Sequence, residues 1–360
     1  MKRLFLCCAL ALGWAVPSAA QADYIITDLG TLGGPGSTAM GINNFGQVVG
    51  QADIAKGVSH AFLYDGSLHD LGTLGGNTSG AEGINNSGKV AGYSYTAGNS
   101  VFHAFLYDGI LHDLGTLGGN YSAANGINNS GQVIGFASTA SGAQRAFLYN
   151  GSLHDLGTLG GNNSDAIRIN NSGKVVGQAD TASGTQHAFL YDGSMHDLGT
   201  LGGKFSQANG INNAGQVVGY SQTMGNASYH AFLYDGSMHD LGTLGGNFSQ
   251  ASYINNSGQV VGYSNTASGR YDAFLYDNGS MIDLNSLLPA GSDFAYLTIA
   301  HAINDNGQIV GDGITNGGET HAFVLSPVPE PSSLALVGIG LACLAGFAWR
   351  RRTRLAIATP

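Results

Sequence analysis

The stretch whose reading decides the fold is "DYIITDLGTLGG", residues 23–34. Its last seven residues, "DLGTLGG", return at Asp70, Asp113, Asp155, Asp197 and Asp240. Each later copy stands behind a companion such as "HAFLYDGSLH" (60–69), and the first copy has none. The chain therefore opens on the tail of its own repeat. Working outward, an "INN" unit falls at Ile42, Ile84, Ile127, Ile169, Ile211, Ile254 and Ile303. An apolar couplet follows each, from Val48-Val49 to Ile309-Val310, and then "AF" at Phe62, Phe105, Phe147, Phe189, Phe232, Phe274 and Phe323. The "DL" unit stands at Asp28, at the five later copies and, degenerate, at Asp283. Every element occurs seven times, at intervals of 42 or 43 residues apart from one of 49 between Ile254 and Ile303.

That period predicts four short strands per copy, about "AxGIN", "QVVGYS", "HAFLYD" and "HDLGTL". "NNSG" and "YDGS" between them supply residues that accept positive φ in tight turns. No 3.6-residue apolar stripe runs through the copies, which excludes a helical-hairpin repeat. Four strands in 40–45 residues is the size of one propeller blade. The orphan then has a place. The chain runs fourth strand, six full sets, then three strands ending at "THAFVLSP", and "YIITDLGTL" completes the seventh set. The expected fold is an all-β, seven-bladed β-propeller over residues 23–327, closed by its N-terminal strand. A β-solenoid is the alternative, but it calls for atypical caps rather than a split copy.

Glycine supplies 58 of 360 residues, and charged residues only 10% against a usual ~25%, which fits strands joined by glycine turns. The start, "MKRLFLCCALALGWAVPSAAQA", reads as a signal peptide over 1–22, cut after Ala22. The apolar run 332–349 is expected to form a transmembrane helix, with Arg350, Arg351, Arg352 and Arg354 on the cytoplasmic side and a short tail at 355–360. All three cysteines, Cys7, Cys8 and Cys343, lie in these two apolar runs, so no disulfide holds the body. Between Asp23 and Pro327 stand 7 basic and 22 acidic residues, a net charge of −15. Such a body disfavours nucleic acid as a partner.

The pattern "INNSGQVVGYS…HAFLYDG…HDLGTLGG" resembles the bacterial extracellular repeats named HAF. The likeness covers residues 28–325, with His at positions 60, 103, 187, 230 and 321 and replacements at Arg145 and Asp272. The segment 328–354 resembles a PEP-CTERM sorting signal: Val328-Pro329-Glu330-Pro331, an apolar helix, then arginines, although "LAIATP" prolongs the usual ending. That resemblance implies a Gram-negative bacterium, the Sec export machinery, and processing near the motif by an exosortase-type membrane protease or transpeptidase in cells that secrete exopolysaccharide.

Five "HD" pairs begin at His69, His112, His154, His196 and His239. Their aspartates are expected to bind turn amides with the histidine packed beside them, since a metal site needs several ligands on one ion. The "INN" asparagines and the acidic copy "INDNGQIVGDG" (303–313) offer too few alternating carboxylates for a calcium loop, so turn hydrogen bonding is expected there too. "NTS", "NYS" and "NFS" are weak glycosylation matches. The singular charges Glu82, Arg168, Asp293 and Glu319 look scattered, so neither catalytic residues nor metal or cofactor are expected. Trp14 and Trp349 lie outside the body, leaving Tyr93, Tyr95, Tyr121, Tyr220, Tyr263 and Tyr271 as its surfaces for stacking sugars. The first–second and third–fourth connections scarcely vary, whereas the other two kinds do, and they share one face with the insertion at 285–297. The expectation is a non-enzymatic exported protein that binds exopolysaccharide or a surface protein through that face. A glycan-active hydrolase or lyase is the competing reading.

Overall fold

The computed structural model describes residues 24–328 apart from residue 227. Ala22, Pro329, Glu330, Pro331, the apolar run 332–349 and Arg350, Arg351, Arg352 and Arg354 lie outside the described residues, while Val328 stands just past the last strand. Among the described residues no helix is long and apolar enough to cross a membrane.

The body is all-β and propeller-like; its described residues form 28 strands and two single-turn 3₁₀ segments, Met224–Asn226 and Leu284–Leu287. The first unit is Ser37–Ile42, Val48–Ala55, Val58–Tyr64 and Leu68–Asp70, paired in that order and antiparallel throughout. Later units repeat this order. The fifth and sixth are joined into one eight-stranded sheet by a single parallel pairing, Tyr229 with Phe248. The orphan strand Tyr24–Asp28 pairs with Thr320–Pro327, from Tyr24 opposite Pro327 to Asp28 opposite Phe323. This is the register of the first unit, where Asp70 stands opposite Phe62.

Burial on both faces explains the composition. The seven "AF" phenylalanines are fully buried, each between its own sheet and a neighbour. At Gly50, Gly92 and Gly177 the glycine after the apolar couplet leaves room for the ring. A Cβ on Gly50 would fall 2.0 Å from the Thr38 carbonyl oxygen and 3.0 Å from the Phe62 ring. No side chain fits there.

Two strand expectations need correcting. "HDLGTL" is not a six-residue strand, because the fourth strand ends at Asp70. There Asp70 Oδ1 accepts from Gly72 N at 2.8 Å, and Gly72 turns the chain at φ +76°. The first strand of the second unit is in compensation longer than expected, Gly75–Ile84. The most recognisable string of the repeat is thus mostly connection. The insertion is likewise no plain surface loop. Phe294 and Leu297 are buried beside Leu284 in the core, and Phe294–Ile303 is the seventh unit's first strand. Asn285 holds it, accepting from Leu297 N at 2.7 Å and donating to Leu297 O at 3.1 Å.

Neighbouring units are stitched by two repeated polar links. Ser79 Oγ, in the second unit, accepts from Ala61 N of the first at 2.9 Å and donates to Gly72 O at 2.6 Å. Ser37 does the same for Ala322 N of the seventh unit, at 3.0 Å. The serines of "NTS", "NYS" and "NFS" are these buried clamps. The second link is a circuit of asparagines: Asn43 Nδ2 donates to Asn85 O, Asn85 to Asn128 O, and so on through Asn170, Asn212 and Asn255 to Asn304. Asn304 Nδ2 donates to Asn43 O at 3.0 Å. First strands of successive units pack together, and that of the seventh packs on that of the first.

Candidate functional site

The first strands converge on a common centre, so one position in seven copies becomes one ring of side chains. Two residues before each "INN" isoleucine stand Met40, Glu82, Asn125, Ile167, Asn209, Ser252 and His301, and all seven line a cavity of about 270 Å³. Asp165, Arg168 and Gln250 complete its wall. The position just before the isoleucine is glycine in four units, and a Cβ on Gly83 would come within 3.2 Å of Gly126 Cα. Arg168 and Tyr253 take that place in two others and fill the centre. The guanidinium lies 5.5 Å from the Tyr253 ring centroid, and its Nη1 donates to Asn125 O at 2.6 Å and Ile167 O at 3.0 Å. The gap around them shrinks to about 30 Å³. Beyond it, toward the "INN" turns, a cavity of about 100 Å³ is walled by the asparagines and isoleucines of those units.

This arrangement corrects the expectation that the singular charges are scattered. Glu82, Arg168 and His301 come from the second, fourth and seventh units and meet in one bowl. Burial pushes the Glu82 carboxyl above its usual range, against the opposing pull of Arg168 and His301. Asp165 is pushed up to about 7 by burial, partly offset by the 2.9 Å hydrogen bond from Asn125 Nδ2. His301 Nε2 lies 2.6 Å from Oδ1 of the buried Asp312, whose Oδ2 accepts from Thr298 Oγ1 at 2.9 Å. Asp293 and Glu319 do not line this bowl. The signal was present in the sequence as a column, one changing residue inside an unchanging frame. Charge alone did not expose it.

The "HD" pairs behave otherwise than as neighbours. Successive residues of a strand face opposite ways. His69 Nε2 reaches back to Asp65 at 2.8 Å, while Asp70 takes the "HAF" histidine, His60 Nδ1, at 2.9 Å. Asp28 takes His321 from the other end of the chain in the same way, at 2.8 Å. Where Asp272 replaces the histidine, Arg270 pairs with it through Nε at 2.6 Å and Nη2 at 2.8 Å. Asp305, the acidic variant of the "INN" turn, accepts from Asn256 N, Asn256 Nδ2 and Asn44 Nδ2 at 2.9–3.0 Å. Burial opposes its charge, but these amides prevail and hold the carboxyl below its usual range. Among the described residues no three His, Cys, Asp or Glu converge as metal ligands.

The tyrosines singled out in the sequence gather into two arrays. One holds Tyr93, Tyr95, Phe102, Tyr121 and Phe136, with successive ring centroids 5.7–6.3 Å apart. The other runs through Phe205, Tyr220, Tyr229, Phe248, Tyr263 and Tyr271. The first array walls a groove of about 310 Å³ that ends at Glu82 and Asn125, residues it shares with the bowl.

Fold and site together describe an all-β, propeller-like scaffold with a polar bowl where its first strands converge. Among known families, a PEP-CTERM protein-sorting motif matches residues 327–352, and a family of proteins of unknown function, DUF3466, matches residues 204–321. The sorting motif implies exosortase-type processing and export to the cell envelope. No curated protein matches the sequence. Among solved structures the chain is similar to the β-propeller domain of the Trilobed protease from Pyrococcus furiosus, at 11% identity over 80% of this chain and 95% of that one, with a TM-score of 0.52. That domain is described as having an open velcro topology. TolB from Acinetobacter baumannii aligns at 13% identity over 83% and 65% of the two chains, TM-score 0.46. The Aleuria aurantia lectin, a six-bladed β-propeller, aligns at 12% over 75% and 98%, TM-score 0.40. The first of these likenesses speaks to the fold alone.

Proposed function

We propose that this protein is a non-enzymatic, closed seven-bladed propeller of HAF-type repeats that binds exopolysaccharide or a surface partner outside the cell. In this reading Sec exports it and its signal is cut after Ala22. The helix at 332–349 then holds it in the inner membrane, with Arg350, Arg351, Arg352 and Arg354 inside, until an exosortase-type enzyme acts near Val328-Pro329-Glu330-Pro331. The split seventh unit and the asparagine circuit support closure, since both join residues near position 30 or 43 to residues beyond 300. The observation that carries the binding reading is the bowl, where seven equivalent positions hold six different residue types inside a frame that scarcely varies. A structural position repeats its residue, whereas a recognition surface diversifies it.

The test is to incubate the purified body, residues 23–327, with exopolysaccharide from the producing cell. Retention without new reducing ends is expected. New reducing ends would establish instead the glycan hydrolase or lyase reading, which the meeting of Glu82 with the His301–Asp312 pair favours. A body that retains no polysaccharide and no surface protein overturns the binding reading.

A further inference from the structure

We propose that the groove between the second and third units is a subsite for one pyranose ring of an uncharged glycan, with the Glu82 carboxylate accepting its hydroxyls. The inference rests on the binding reading above and narrows it to one place and one ligand class. The groove has the volume of a small-ligand site, about 310 Å³ against ~300 Å³ and upward for such sites. Its walls are Tyr93, Tyr95, Phe102 and Phe136, and its inner end is Glu82 with Asn125. Phe102 is braced by Tyr93, Tyr95 and Tyr121, so the wall is ordered before any ligand arrives. A rigid aromatic wall takes the apolar face of a sugar at little entropic cost.

The polar end decides what else the ligand carries. No described residue hydrogen-bonds the Glu82 carboxylate, although it lines the groove, the bowl and the central gap alike. Asn125 spends its amide hydrogens on Asp165 Oδ1 and Ala166 O, at 2.9 and 2.8 Å, which leaves its Oδ1 as an acceptor. Tyr93 already donates to Gln51 Oε1. Apart from the Tyr95 hydroxyl, which can donate or accept, the groove thus presents acceptors and asks for donors. Arg168 and His301 act on Glu82 and offset its charge, so a cation gains little there. An anion meets Glu82 and a body of net charge −15. A neutral ligand rich in hydroxyls and carrying one apolar face satisfies all of these conditions, and a hexopyranose is such a ligand.

The second aromatic array supplies an internal control. There Tyr220 and Tyr263 donate to Gln207 and Gln250, and Tyr229 accepts from Gln222 Nε2. The experiment measures binding of the mature exported protein to immobilised cellohexaose, mannohexaose, hexagalacturonate and the producing cell's exopolysaccharide. Glu82→Gln, Phe102→Leu and Phe205→Leu are compared with the parent, with melting temperature recorded for each. The expected result is binding of an uncharged probe, weakened about tenfold or more by Glu82→Gln and by Phe102→Leu, and unchanged by Phe205→Leu. Equal binding by Glu82→Gln and the parent removes the subsite and leaves the binding reading standing. Preference for hexagalacturonate overturns the ligand class. Failure of the parent to hold any probe overturns both.

Discussion

A disulfide between the chain's two ends tests the closed ring most directly. Ile25 stands opposite Ser326 in the pairing of Tyr24–Asp28 with Thr320–Pro327, and Ile25 is 59% exposed. Opposed residues of an antiparallel pair have Cα atoms about 4.5–5.5 Å apart, inside the range a disulfide spans. The body contains no cysteine of its own, so the double variant Ile25→Cys, Ser326→Cys has a single bond to form. That bond would close a loop of about 300 residues, and the chain-entropy relation then gives at most about 5–6 kcal/mol of stabilisation. For a domain of this size the melting temperature should rise by up to roughly 10 °C, and reductant should abolish the rise. The assay is thiol counting and non-reducing electrophoresis, followed by thermal melts with and without reductant. The expected product is a fully oxidised monomer. Thiols that stay free, or a bond that forms only between molecules, would refute the pairing of the two ends and with it the closed ring.

Asp165→Asn should stabilise the body in a pH-dependent way. The folded carboxyl is raised from 3.8 to about 7, so the native state holds the proton longer than the unfolded chain. Stability of the parent should therefore fall as pH rises from about 4 to about 7 and then level off, by at most ~4 kcal/mol. The variant should match the parent at pH 4 and exceed it at pH 8. Parallel stability profiles across this range would contradict that account. Asn170→Ala should cost about 3 kcal/mol in urea denaturation, because Ser172 N, Lys174 N and Asn212 O all lose a buried partner. Phe147→Ala empties the fully buried centre of one sheet packing and should cost ~3–5 kcal/mol. Deleting residues 23–34 removes Tyr24, Ile26 and Leu29 from the core, together with the His321–Asp28 pair, and should leave an aggregating protein.

Much of the fold was legible because a repeat states its architecture many times over. Period, turn residues and the split seventh copy named the strand order, and the register of Asp28 opposite Phe323 matches that of Asp70 opposite Phe62. Strand ends were less legible. Whether "DLGTL" extends or turns depends on a side chain, Asp70 Oδ1, capturing Gly72 N two residues on. The insertion at 285–297 looked like loop because its length broke the period, yet Leu284, Phe294 and Leu297 find core that only the assembled sixth and seventh units create.

The candidate site shows the same division more sharply. Sequence alone determined the repeat, the acidic cysteine-free body and the sorting segment, since each is written in local composition and spacing. It also held the seven residues from Met40 to His301, dispersed at the repeat interval. Only the tertiary structure turned that interval along the chain into adjacency around a centre, bringing Glu82, Arg168 and His301 into one bowl. Burial and approach distance, which raise Glu82 and Asp165, exist only once the first strands converge. A linear text records which residues vary, and packing decides which of them meet.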